Sequence, residues 1–235
     1  MRSKHFQLAI DGPVAAGKGT VAAILAQKLK CLYVDTGAMY RAVALLAKRK
    51  NIDWLDEEKL VALLKKTKLT LRRPKKNDKD KCLIFLDGEE VMQYLRTPDI
   101  SWGSSMVATL PQVRKILVEI QKKIAQKESV VMEGRDITTK VIPEANLKIY
   151  LTATQEERAR RRQKQLEEQG IKKPLEEVLE ETKKRDYQDT HRKADPLRIA
   201  PGALVLDTTN LTIEEVVEAI LKKKKKALYI SSLEI

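Results

Sequence analysis

Two cysteines and two histidines in 235 residues leave little for metal or redox chemistry. Cys31 and Cys82 lie far apart with no metal-ligand spacing around them, so neither structural zinc nor a disulfide framework is expected. No apolar run reaches membrane-spanning length, and no apolar signal stretch precedes the first strand-like segment. A cytoplasmic protein without a membrane partner is therefore the expectation. No self-similar period is visible, and the N-K-x-D and D-x-x-G signatures of guanine-nucleotide switches are missing. What is present is charge: 34% of residues are charged, 43% are hydrophobic, and the formal net charge is +13. That balance suits a globular core, and the positive excess points to anionic partners or substrates without saying which anion.

The chain is organised around Gly12-Pro13-Val14-Ala15-Ala16-Gly17-Lys18-Gly19-Thr20. Residues 7–11 before it read as a short buried strand and residues 21–29 after it as a helix. In that setting the glycines let the backbone aim consecutive amide hydrogens at an anion, and the helix start adds partial positive charge. Lys18 supplies a mobile full charge for the outer phosphates of a nucleotide. The residue after Lys18 is Gly19, with the hydroxyl one place later at Thr20, so the pattern predicts phosphate binding better than it predicts a hydroxyl ligand for magnesium.

Further strands are expected at 31–34, 130–132, 147–152 and 203–207, alternating with helices at 42–50, 57–67, from Pro111 onward, 154–169, 174–191 and 212–226. Five strands alternating with helices predict an α/β fold: a five-stranded parallel sheet covered by helices on both faces. Between the second and third of these strands lie two more segments of strand type, 69–71 and 82–86, joined by a loop carrying Lys75, Lys76, Lys79 and Lys81. Residues 97–110 show no clear period and receive no element. The lysine loop and the run Lys222 to Lys226 read as solvated surface and a charge-complemented helix end, so nucleic acid is not expected as a partner.

Ligands bind at the carboxyl ends of strands in such sheets. Tyr40 and Arg41, in the first turn of the helix after the second strand, and Glu133-Gly134-Arg135-Asp136 at the end of the third are placed there. Arg158, Arg160, Arg161 and Arg162 stand within five positions on a polar helix that is paired with a second polar helix carrying Arg185 and Asp189. So few apolar residues predict a projecting hairpin, and so many arginines a lid that closes over polyphosphate. Arginine in such excess fits phosphoryl transfer between two phosphates, which needs no general base because the acceptor is already ionised.

Taken in order, the glycine loop, Asp35-Thr36-Gly37-Ala38-Met39-Tyr40-Arg41, Glu133-Gly134-Arg135-Asp136, Glu156 to Ala159 with Arg161-Arg162, Lys184-Arg185-Asp186 with Asp189, and Val205 to Thr212 closely resemble bacterial cytidylate kinases, P-loop proteins of the nucleoside monophosphate kinase class. The resemblance spans about the whole chain. It implies phosphorylation of CMP and dCMP by ATP with magnesium, the metal held largely through water and without a direct protein ligand. By resemblance Gly12 to Thr20 bind ATP, Arg158, Arg161 and Arg162 act from the lid, and Arg41, Arg135 and Arg192 hold the acceptor phosphate near Thr36 and Tyr40. Arg185 and Asp189 match sugar contacts, and Ser105, Arg114 and Asp136 match base contacts. The implied division is a core of residues 1–40, 106–153 and 193–235, a monophosphate-binding insertion of 41–105 and a lid of 154–192. Thr138 stands where glycine is frequent in that family, and Lys140 where an apolar residue is frequent. A monomer is expected, since no apolar surface face is evident.

Overall fold

The computed structural model describes residues 4–72 and 82–233, with side chains as far as Lys224. The lysine loop 75–81 and the side chains of Lys225 and Lys226 lie outside that range. Five parallel strands form the central sheet: β1 (Gln7–Asp11), β2 (Leu32–Asp35), β6 (Val130–Gly134), β7 (Leu147–Thr152) and β8 (Leu204–Asp207), in the spatial order β2-β6-β1-β7-β8. β1 is central and buried along its whole length, as a strand covered on both faces must be. The period of two divides it between two cores. Leu8 and Ile10 pack with Val21 and Leu25 of α1 (Lys18–Leu29) and Val217 and Ile220 of α8 (Ile213–Leu233), whereas Ala9 packs with Val34, Met132 and Val118 of α5 (Pro111–Lys127).

Register then decides what meets at the rim. Asp11 pairs with Gly134 and with Tyr150, Asp35 with Glu133, and Thr152 with Asp207, so all five strands end on one edge of the sheet, with β7 and β8 running two residues past β1. Every loop that carries chemistry leaves from that edge.

A third core joins α2 (Thr36–Arg49), α3 (Glu57–Lys66), α4 (Pro98–Val107) and the start of α5 with the antiparallel sheet β3 (Leu69–Arg72), β4 (Leu83–Leu86) and β5 (Glu89–Glu90). α2 starts at Thr36, six residues before the start read from sequence, because Asp35 caps it by accepting from Ala38 N at 2.9 Å. Tyr40 and Arg41 therefore sit in its second turn rather than its first. The unassigned segment 97–110 is largely α4, started by Pro98 at a helical first position and seated where Gly103 admits the Trp54 indole. A Cβ on Gly103 would lie 2.4 Å from that ring. α6 (Gln155–Glu167) and α7 (Leu175–His191) form the expected hairpin, with a core of only Ala159, Leu166 and Val178. No helix among the described residues is long and apolar enough to cross a membrane.

Candidate active site

Gly12 leaves β1 at φ +152° against the backbone of β7, where a Cβ would fall 2.0 Å from Leu151 O. The loop closes at Gly17, φ +85°, which caps α1 without any side-chain bond, so the first amides of that helix keep their hydrogens for an anion. Lys18 is 5% exposed and folds its ammonium onto Pro13 O at 2.7 Å. Burial, followed by the nearby charge of Arg135, brings its pKa down to about 7. Thr20 is exposed on α1. The space left by the missing side chain of Gly19 is approached instead by Glu133 Oε1 and the Tyr33 hydroxyl, 3.1 and 3.3 Å from where a Cβ would stand. Tyr33 donates to that carboxyl at 3.0 Å. Burial first, and then the charge of Asp35, push the Glu133 carboxyl up.

Asp11, fully buried at the end of β1, accepts from Ile137 N at 2.9 Å, Thr138 N at 2.7 Å and Thr138 Oγ1 at 2.6 Å. It thereby fixes the π-type turn Ile137–Val141 that follows Arg135 and Asp136. Thr138, unusual by resemblance, provides two of those three bonds, one from its backbone and one from its side-chain hydroxyl. The only sequence signal for Asp11 is an acid ending a buried strand, and its partner lies 127 residues away.

Beside this loop lies a cleft of about 140 Å³ whose walls include Thr36, Tyr40, Arg41, Ser105, Arg114, Arg135, Asp136, Arg185, Asp189 and Arg192. Every residue expected on the acceptor side is thus in one place. Arg41 pairs with Asp35 at 2.7 Å, Arg135 with Asp189 at 2.7 Å, and Arg114 with Asp136 at 2.5 Å. Thr36 donates to Glu133 O at 2.8 Å, tying α2 to β6. Among the described residues, Tyr40 Oη, Arg41 Nε and Arg185 Nε are buried polar atoms with no partner. Three such groups in one cleft are what an oxygen-rich ligand would satisfy. Burial, and then repulsion from Arg135, bring Arg185 down to about 10. Burial would raise Asp189, but Arg135 and Arg185 hold it below the usual carboxylate range.

The structure separates the hairpin arginines that the sequence grouped. Arg158, with its side chain 4% exposed, donates to Asp186 at 3.0 and 2.7 Å, to Ala153 O at 2.9 Å and to Val14 O at 3.4 Å. Arg161 is engaged by Glu157 at 2.9 Å and by Thr208 Oγ1 and O at 2.9 and 2.6 Å. Arg162 is half-buried, and burial, opposed by Glu181 and reinforced by Arg41, holds its pKa below the ordinary arginine value. Across the cleft mouth Gln188 Nε2 of α7 donates to Ser105 O of α4 at 2.8 Å. Sequence reasoning singled out neither Asp186 nor Thr208 for these bonds, nor Asp195, which meets Arg114 at 3.2 Å.

The cytidylate kinase family model matches residues 8–226. The cytidylate kinase of Caldanaerobacter subterraneus subsp. tengcongensis is 50% identical over 94% of this chain and 95% of its own. That of Ligilactobacillus salivarius is 48% identical over 93% and 96%. Among solved structures, an uncharacterized protein from Eubacterium ventriosum shares the fold at 11% identity, with a TM-score of 0.51 over 94% of this chain and 99% of that one.

Proposed function

The chain belongs to the cytidylate kinase family and transfers the γ-phosphoryl group of ATP to CMP or dCMP; on that premise we propose that the loop after β1 holds the donor, that the arginine-lined cleft holds the acceptor, and that no general base takes part. The observation that carries this reading is the set of three unpartnered buried donors inside a cleft at the strand rim, beside a desolvated lysine. A nucleotide monophosphate has a second pKa of about 6, so near neutral pH its attacking oxygen carries no proton to remove.

Arg41, Arg135 and Arg192 hold the acceptor phosphate, and Arg185 with Asp189 holds the sugar. Asp136 accepts from the exocyclic amine of cytosine while Arg114 donates to the neighbouring acceptors. Uracil would set an oxygen against the Asp136 carboxylate, and two acceptors facing each other disfavour binding. On the donor side the backbone N–H groups of residues 14–19 and the Lys18 ammonium cradle the phosphates. Of the hairpin arginines, Arg162 meets the transferring group, Arg158 braces the hairpin on the loop at Val14, and Arg161 braces it on the end of β8. Arg135, between donor and acceptor, faces both phosphates and meets the charge that develops between them.

Magnesium fits this site without a hydroxyl ligand. Glu133 is a buried carboxyl beside Gly19, supported by Tyr33, and it would hold the metal through water. Bound magnesium would supply positive charge that offsets the negative charge of the donor phosphates.

A coupled assay with CMP, dCMP, UMP and AMP tests the reading. CMP and dCMP are expected to turn over fastest, UMP more slowly and AMP hardly at all. Equal rates for CMP and AMP would defeat the assignment of Asp136 and Arg114.

A further inference from the structure

Asp195 stands four residues beyond α7, in neither helix nor strand. Its φ of +45° is in the left-handed region, which aspartate enters more readily than most side chains but still at strain. With that backbone one residue faces two arginines. The Asp195 carboxylate accepts from Arg114 Nε at 3.2 Å and lies 3.4 Å from Lys140 Nζ. Its carbonyl oxygen accepts from Arg192 Nε at 2.9 Å.

Arg114 is consequently held on three sides: Asp195 at Nε, Ala108 O at Nη1 (3.1 Å) and Asp136 at Nη2 (2.5 Å). The guanidinium also lies 5.6 Å from the centre of the Tyr40 ring. A guanidinium has five N–H groups in a rigid plane, so these bonds leave one hydrogen on each Nη and set the direction in which both point. Ala108 O and Asp136 grip only the outer nitrogens. Asp195 is the contact that stops the plane from turning about the line between those two. Burial works against ionisation of Asp195, yet Arg114 and Lys140 hold its carboxyl below the usual range, so the contact is a charged one.

We infer that Asp195 is a positioning residue for base discrimination: it sets the rotation of the Arg114 guanidinium toward the pyrimidine and, through its own carbonyl, couples that setting to Arg192. The inference rests on the reading of Arg114 and Asp136 as base contacts. The carboxylate and the carbonyl are separable, because the carbonyl survives any substitution while the carboxylate does not.

Purified full-length Asp195→Gly, Asp195→Ala and Asp195→Asn are compared with the parent in steady-state assays on CMP and UMP at saturating ATP. Glycine removes the carboxylate together with the backbone strain, so a well-folded variant is available even if alanine destabilises the chain. In the glycine and alanine variants the ratio of kcat/KM for CMP over UMP should fall about fivefold or more, since a charge-assisted bond has been removed from the reading arginine. The loss should appear in KM for CMP, with kcat within about twofold and KM for ATP unchanged. Asparagine keeps an acceptor and tolerates the left-handed backbone, and should recover most of the ratio. An unchanged ratio in Asp195→Gly overturns the inference, as does a loss confined to kcat or an asparagine variant no better than glycine. Asp136→Ala is run alongside. If it leaves the ratio intact, the base-contact reading fails and takes this inference with it; if it collapses the ratio while Asp195→Gly does not, only the role of Asp195 is lost.

Discussion

The Arg158–Asp186 pair offers a test in which stability and catalysis can be read apart. Asp186→Leu removes the bidentate partner of a guanidinium that is 4% exposed. Breaking a buried ion pair costs about 3–5 kcal/mol when the remaining charge has nowhere to turn. Arg158 keeps Ala153 O and Val14 O, and Asp186 itself is 16% exposed, so about 2–3 kcal/mol is the magnitude to expect here. Three buried apolar side chains, with Ile171, Leu175 and Leu179 partly buried against them, hold α6 to α7; with so small a core, a loss of that size should open the hairpin without unfolding the sheet. Amide exchange within α6 and α7 should accelerate about 30-fold or more, while β1 and β6 keep their protection. The double variant Arg158→Met/Asp186→Leu replaces the pair by apolar groups of similar bulk and should bring exchange back to within about fivefold of the parent. Turnover should follow, returning to within about threefold, if the proposed bracing role of Arg158 holds. An acceleration below about threefold in the single variant, or a double variant no better protected, would refute the energetic argument. Recovered protection with turnover still lost would instead return Arg158 to the phosphate-binding set.

Lys18 and Gly103 give two further tests. With a folded pKa of about 7 against an ordinary value of 10.5, Lys18 binds fewer protons in the native than in the unfolded chain between those values, so its contribution makes stability rise with pH across that window and then level off. Polyphosphate should restore the charge: ATP binding at pH 8 should take up roughly one proton, measured by calorimetry in buffers of different ionisation enthalpy, and Lys18→Met should take up none. Proton uptake that is the same with and without Lys18 would rule the lysine out as its source. Gly103→Ala would set a methyl 2.4 Å from the Trp54 indole, whose Nε1 is tied to Ala44 O at 3.0 Å; a loss of about 1–3 kcal/mol in urea unfolding is expected, and an unchanged midpoint would mean that α4 shifts freely.

Much of this fold could be read locally. The short apolar run in 7–11, the alternation in 147–152, the glycine loop between strand and helix, and the helical spacing from Val113 onward each depend on neighbours in the chain, and the structure has them where expected. The miss at 97–110 is instructive, since α4 has weak helical signals of its own and is held by contacts that no local window contains, Trp54 against Gly103 among them. β5 is likewise only two residues long and defined by its pairing with β4.

The sequence by itself determined most of the order of elements and the glycine loop between strand and helix, because propensity, spacing and backbone freedom act over a few residues; Ser105, Arg114 and Arg192 of the cleft are named through family resemblance. Only the tertiary structure decided which charges meet. Asp11 reaches Thr138, Arg114 lies between Asp136 and Asp195, and Arg158, Arg161 and Arg162, close together in sequence, face three different neighbourhoods. Those partners are set by the parallel register that brings five strand ends to one edge of the sheet. A guanidinium carries the same charge wherever it stands, so its task follows from the acceptors that folding leaves beside it.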